Sequence, residues 1–317
     1  MDAKRLYYAL KPLIPRRLQI ALRRTVIQRQ RKAYSSIWPI YPNSETPPSN
    51  WSGWPENKKF AVVLTHDVEL ARGQSRCEAL MNLERDCGFV SSYNFVPERY
   101  PDSPKTRKML TDAGFEVGVH GLNHDGKLYK SREEFTRRAK LINGYIKEWD
   151  VVGFRSPAMH HNLDWLRDLN ITYDSSTFDT DPFEPQPDAA HTIFPFIVEA
   201  DGNRSGYVEL PYTLPQDFTL FVLLEEQGID IWKRKVDWIA QQGGMVLVNV
   251  HPDYMHFGKG KPKLGEFPAH FYKELLLYIR DTYKDEYWHA LPRDLASFWQ
   301  REHASVQQEL QITSSLQ

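Results

Sequence analysis

From Phe60 to Val250 the chain repeats one pattern: a short, largely apolar run, then a longer stretch whose apolar positions recur at helical spacing. The runs include Phe60–Thr65, Phe89–Val96, Phe115–Val119, Val151–Phe154, Ile171–Tyr173 and Met245–Val250. A strand with one face in water alternates apolar with polar residues, so apolar runs require cover on both faces. Strand and helix in alternation then mean a parallel sheet with helices packed outside it. Thr192–Glu199 and Tyr207–Leu210 read as further strands, joined as a hairpin around Asp201-Gly202-Asn203. Seven or eight strands of this kind predict a distorted α/β fold of the (β/α) barrel type, with an open doubly wound sheet as the alternative.

The helices between the strands carry their own punctuation. Ser131 with Glu134 forms a capping box, and Ser103-Pro104 pairs a cap with a first-turn proline. Gly88, Gly114 and Gly243-Gly244 stand where helices should stop. Ala71–Cys87 reads as one helix, as do Ile229–Gln242, Pro268–Tyr283 and a tail from Pro292 to about Leu310. No Gly-rich phosphate loop and no dinucleotide fingerprint accompanies the pattern.

Charge narrows the partners. The net charge is −1, which offers no general attraction for nucleic acid. The first 35 residues are the exception, with ten basic residues against one acid, Asp2. There Ile14, Leu18, Ala21, Leu22 and Val26 share one helical face among arginines. Such a helix either lies on an anionic membrane surface or packs on the protein with its arginines solvated; both readings stay open. Residues 36–59, rich in proline and tryptophan, read as a connector. No apolar stretch is long enough to span a membrane, and none resembles a secretory signal. Cys77 and Cys87, ten positions apart on one expected helix, lie about 15 Å apart along its axis and cannot bridge. The expected location is therefore the cytoplasm, at the inner face of the membrane if residues 1–35 bind it.

In parallel α/β folds the chemistry collects where strands end. Here the first run ends in Thr65-His66-Asp67-Val68-Glu69, the third in His120-Gly121-Leu122-Asn123-His124, and the fourth in Arg155-Ser156-Pro157 with His160 and His161 beyond. The fifth ends at Asp174, and the strong late run at His251-Pro252-Asp253. Two histidines with three residues between them can turn both imidazoles onto one divalent ion, which then needs a further ligand. Each residue has a plainer reading alone: an Asx turn for Asp67, an ion pair for Arg155, a buried histidine for His251. Their joint placement at five strand ends favours a site. His160 and His161 read as pocket lining, and His66 as packing.

Taken in order, these motifs resemble those of the polysaccharide deacetylase family, the NodB-homology domain of carbohydrate esterase family 4. The resemblance covers about Phe60 to His251 and rests on Thr65-His66-Asp67-Val68, His120-Gly121-Leu122-Asn123-His124, Arg155-Ser156-Pro157, Asp174 and Val248-Asn249-Val250-His251. It implies a single catalytic domain over residues 60–317. It also implies a hydrolase that removes N-acetyl groups from a sugar or glycan intermediate of cell-surface polysaccharide, with one divalent ion. Zinc is the expected ion; cobalt, manganese and nickel are the alternatives. Val68 stands where the family carries its second aspartate, so Glu69 is expected to join His120 and His124 as third ligand. Gly121 replaces a hydroxyl residue of the histidine motif.

The resemblance assigns further roles. Asp67 is the implied base, held by Arg155, and His251 the implied acid, oriented by Asp174. The backbone N–H of Ala158 is implied to hold the oxyanion. Two other functions fit the same residues: an amidohydrolase acting on a small cyclic amide, and a non-catalytic glycan-binding protein, which the loss of an aspartate at Val68 would suit.

Overall fold

A computed structural model describes residues 15–49 and 51–315. Ile14, part of the expected N-terminal apolar face, lies outside the described residues, as does the remainder of the basic segment before it. Eleven strands form among the described residues, and nine of them share one curled sheet. These are β1 (Phe60–Val68), β2 (Ser92–Phe95), β3 (Glu116–His120), β4 (Gly153–Arg155), β5 (Tyr173–Asp174), β6 (Phe196–Val198), β7 (Tyr207–Glu209), β8 (Met245–Val250) and β11 (Tyr287–His289). β9 (Met255–His256) and β10 (Phe267–Pro268) form a separate two-stranded ribbon.

Every pairing in the large sheet is parallel except β6 with β7, the expected hairpin. β1 is the axis. Its residues Ala61–His66 pair with β8 on one side. On the other side its lower half pairs with β11 and its upper half with β2. From β2 the sheet runs through β3, β4 and β5 to β7. The gap back to β8 is closed by single hydrogen bonds: the N–H groups of Thr213 and Leu214 both donate to Leu247 O, and Met245 N donates to Ile193 O. The barrel expected from the strand pattern therefore forms, with more strands than the seven or eight expected. β11 is the addition, a three-residue strand whose Tyr-Trp-His carries no apolar run.

All nine residues of β1 and all six of β8 are buried, as a sheet covered on both faces requires. The outer layer includes α3 (Cys77–Cys87), α4 (Pro104–Asp112), α5 (Arg132–Trp149), α7 (Asp230–Gln242), α8 (Ala269–Thr282) and α9 (Pro292–Ser315). The capping signals hold: Ser103 Oγ accepts from Thr106 N, Ser131 Oγ from Glu134 N, and Asn162 Oδ1 from Trp165 N at the start of the single-turn α6 (Leu163–Leu166). Ala71–Cys87 is not one helix. It breaks at Ser75–Arg76 into α2 (Ala71–Gln74) and α3, so that Gly73 can lie flat against Asp253, whose Oδ2 would be 2.2 Å from any Cβ placed there.

The N-terminal helix, α1 (Arg16–Ala33), packs on the barrel, but not through its expected apolar face. Ile20 and Ile27 are the buried residues. Arg24 Nε donates to Val222 O, Gln28 Nε2 to Leu224 O, and Arg24 and Arg31 pair with Glu225 and Glu226. Leu18, Leu22 and Val26 point outward, 51%, 44% and 53% exposed. No described helix is long and apolar enough to cross a membrane.

Candidate metal and hydrolytic site

The alternation of β1 decides which of its acids can meet. Successive side chains of a strand point to opposite faces. Thr65 and Asp67 point into the barrel, where Thr65 Oγ1 donates to Val248 O and accepts from Arg155 Nη1. His66 points out, and its Nε2 meets Glu84 of α3 at 2.7 Å. Val68, wholly buried, belongs to the apolar core, while Glu69, one residue past the strand, returns to the side of Asp67. An acid two positions after Asp67 can reach the site that the outward Val68 cannot.

Three potential ligands converge. Donor atoms of Glu69, His120 and His124 all lie within 4.8 Å of one another. His120 ends β3, and its Nδ1 donates to Arg155 O at 3.1 Å, leaving Nε2 with its lone pair free for a ligand. Burial holds the His120 imidazole down at about 4, against the pull of Asp67, so it is neutral at neutral pH. Nε2 of His124 is 3.0 Å from Glu69 Oε1, yet it is buried without a hydrogen-bond partner. For Glu69, burial would raise the carboxyl, but His124, then His251 and the Tyr254 hydroxyl outweigh it and hold it well below the usual range. Two imidazole nitrogens and a carboxylate, one nitrogen orphaned, are a donor set that fits a divalent ion such as zinc.

The histidine loop needs Gly121. Its φ is +65°, and a Cβ there would meet Pro157 Cγ at 2.4 Å. Any side chain at this turn would be strained and would push the Pro157 ring aside.

Asp67 sits at the centre of the buried polar groups. Its Oδ2 accepts from Asn249 Nδ2 at 2.8 Å, and its Oδ1 from Asn94 Nδ2 at 3.2 Å and Arg155 Nη1 at 3.4 Å. Burial would raise this carboxyl; His120, then Arg155, His251 and Asn249 more than offset it, and Asp67 is held ionised far below the ordinary carboxylate range. Arg155 is itself fixed from behind, with Nε on Ser175 O and Nη2 on Ser175 Oγ, both at 2.7 Å.

His251 faces Asp67 across the barrel mouth, its Nε2 at 3.9 Å from Asp67 Oδ2. The expectation that Asp174 orients it is not met. The partner is Asp217: its Oδ1 is 2.7 Å from His251 Nδ1, and its Oδ2 accepts from the His251 N–H at 2.8 Å. Burial would lower the imidazole, but Asp217, with Glu69 and Asp67, pushes it up to about 10, so His251 carries a proton at neutral pH.

Asp174 instead accepts from Ser176 Oγ at 2.7 Å and Ser176 N at 3.0 Å. Ser176 Oγ in turn accepts from Ser156 N at 2.8 Å, so Asp174 braces the segment that follows Arg155. β5 is only two residues long, and its end turns to that neighbouring loop rather than across the mouth. Burial raises both Asp174 and the adjacent Glu209.

Sequence reasoning missed Asp217, Asn94, Tyr254 and Ser175. Asp217 carries no motif and sits 34 positions before His251, at the start of an irregular helical segment, Phe218–Leu223, that shows no periodic signal. Asn94 and Asn249 left a trace: each is a polar residue inside an otherwise buried strand. His161 lines a groove of about 790 Å³ of mixed polar and apolar lining, with Gln186, Asp188, Leu163 and Phe196; none of the three candidate ligands borders it.

Barrel and site together set a candidate three-residue ligand cluster beside Asp67 and His251 where the parallel strands end. No family model matches the sequence, and no curated protein matches it. Solved structures do match in fold. A Mycobacterium smegmatis protein described as a polysaccharide deacetylase superposes with a TM-score of 0.61 at 17% identity, over 81% of this chain and 96% of the other. A Pseudomonas aeruginosa PAO1 protein of the same description gives 0.59 at 17% identity, over 83% and 99%. An allantoinase, Puue, gives 0.59 at 14%, over 83% and 98%. The chain thus has the NodB-like (β/α) barrel fold of the polysaccharide deacetylases, the family whose motifs it resembles.

Proposed function

We propose that the protein is a hydrolase that removes the acetyl group from an N-acetylated sugar of a cell-surface polysaccharide intermediate. The observation that carries this reading is the placement of a paired histidine–carboxylate ligand set beside an ionised aspartate and a protonated histidine 3.9 Å apart. Glu69, His120 and His124 would hold one divalent ion, most simply zinc. When bound, such an ion polarises the amide carbonyl and acidifies a water molecule.

The chain's own residues supply the rest. Asp67, kept ionised by Arg155 and the Asn94 and Asn249 amides, takes a proton from the attacking water. Water oxygen bonds to the carbonyl carbon, and the Ala158 N–H, at the turn after Arg155, donates to the developing oxyanion. The carbon–nitrogen bond then breaks as His251, held by Asp217, gives its proton to the leaving nitrogen. Acetate and an amino sugar result. The same reading places the protein in the cytoplasm, at the inner face of the membrane, with the N-terminal region as its contact.

The likeness to an allantoinase keeps a cyclic amide as the alternative substrate. Purified protein given zinc should release acetate from N-acetylhexosamine donors and leave ureides untouched; the reverse outcome moves the assignment to the cyclic amide. Glu69→Gln should lose metal as well as turnover, whereas Asp67→Asn should keep metal and lose turnover. Wild-type protein that takes up no divalent ion would overturn the hydrolase reading in favour of a glycan-binding protein.

A further inference from the structure

Glu69 does not reach the two histidines unaided. It lies just past the end of β1, where the ladder no longer holds the backbone, and a glutamate there has three free torsions. Two residues from the loop after β8 remove that freedom. The Tyr254 hydroxyl donates to Glu69 Oε2 at 2.5 Å, and Asp253 Oδ2 accepts from the Glu69 backbone N–H at 2.8 Å. The hydroxyl occupies one carboxylate oxygen, and the other, Oε1, faces His124 at 3.0 Å.

The clamp is itself held from three sides. Tyr254 packs between the His251 ring, 5.0 Å away between centroids, and the Phe218 ring, 4.7 Å away. Asp253 is sealed by Gly73 of α2, where any side chain would collide with its carboxylate. Arg76 Nη1 donates to the carbonyls of Pro252 and Asp253 at 3.2 and 2.9 Å, fixing the loop backbone.

We infer that Tyr254, backed by Asp253, is a positioning residue that makes Glu69 a one-oxygen metal ligand and sets the affinity of the site for a divalent ion. This rests on the metal reading of the Glu69–His120–His124 set. It explains how a glutamate displaced by one position can serve where Val68 cannot: the loop that carries His251 also carries the groups that aim Glu69.

The test is metal binding, independent of turnover. Apo-protein of wild type, Tyr254→Phe, Asp253→Asn and Glu69→Gln is titrated with cobalt(II), following the visible absorption, and with zinc by competition against a chromophoric chelator. Outer-shell partners of metal ligands typically tune affinity by about 10–100-fold. Tyr254→Phe should weaken both ions by that factor, and its cobalt spectrum should change shape as Glu69 becomes free to offer both oxygens. Asp253→Asn should weaken binding in the same direction, and Glu69→Gln should weaken it most. A Tyr254→Phe protein with wild-type affinity and an unchanged cobalt spectrum overturns this inference alone. Wild type that binds neither ion overturns the metal reading and this inference with it.

Discussion

His251 and Asp67 show how two residues of opposite tasks are set by what surrounds them. The imidazole keeps its proton because Asp217 meets Nδ1 at 2.7 Å, while the carboxylate stays bare because His120, Arg155 and two amides face it. Asp217→Asn should therefore leave the fold and metal uptake intact while lowering kcat about 10²–10⁴-fold, since it removes both the orientation and the charge that favour the imidazolium. Asp174→Asn is the control. Asp174 braces Ser176 and Ser156 without touching His251, so its variant should lose stability, read by urea unfolding, with a much smaller effect on kcat. Equal losses of kcat in the two variants would contradict the assignment. At this scale the residues at strand ends were legible and Asp217 was not. A strand end announces itself by the apolar run before it; a partner on an irregular segment has no such marker.

At the scale of elements, β1 and α1 make contrasting cases. In β1 the period of two is strict, and it alone explains why Asp67 and Glu69 serve one face while His66 and Val68 serve the other. In α1 the periodicity named an apolar face, but packing chose another. Ile20 and Ile27 seat the helix on the segment Phe218–Leu223, and the two acids beyond it draw in Arg24 and Arg31. Leu18, Leu22 and Val26 are left as an outward stripe, with exposed Arg17 and Arg29 nearby. Of the six exposed large hydrophobics among the described residues, these are half, and they share one helix. The membrane contact proposed above would use this stripe against a lipid surface with anionic headgroups. The protein should co-sediment with vesicles containing anionic phospholipid and less with neutral ones, and Leu18→Ser with Leu22→Ser should weaken that binding roughly tenfold or more. Sedimentation unchanged by the double substitution would remove the membrane contact.

For the whole molecule, the floor of the barrel carries a pH signature apart from the site. Glu116 opens β3 and is 2% exposed. Its Oε1 accepts from the Tyr173 hydroxyl of β5 at 2.7 Å, and its Oε2 from the Arg293 N–H in the first turn of α9 at 3.1 Å. Burial outweighs these bonds and raises the carboxyl to about 7 from its ordinary 4.5. The folded state thus holds this proton more tightly than the unfolded chain. Its contribution to stability is full below about pH 4.5 and is lost as pH rises through 7, on the order of 3 kcal/mol in all. Glu116→Gln, uncharged throughout, should remove that loss, so its stability relative to wild type should rise between pH 5 and pH 8 in urea denaturation. An identical pH dependence in the two proteins would refute it.

Read alone, the sequence determined the class of fold, because apolar runs without alternation can be buried only in a sheet covered on both faces. It also determined which residues would stand at the strand ends: Asp67, Glu69, His120, His124, Arg155 and His251 gather because parallel strands all end on one side. What only the tertiary structure decided were the contacts between segments distant in sequence. Asp217 rather than Asp174 reaches His251, Tyr254 aims Glu69, and α1 turns its leucines outward. Each depends on how loops and helix faces meet across the barrel mouth, a matter of shape and distance that no local spacing encodes.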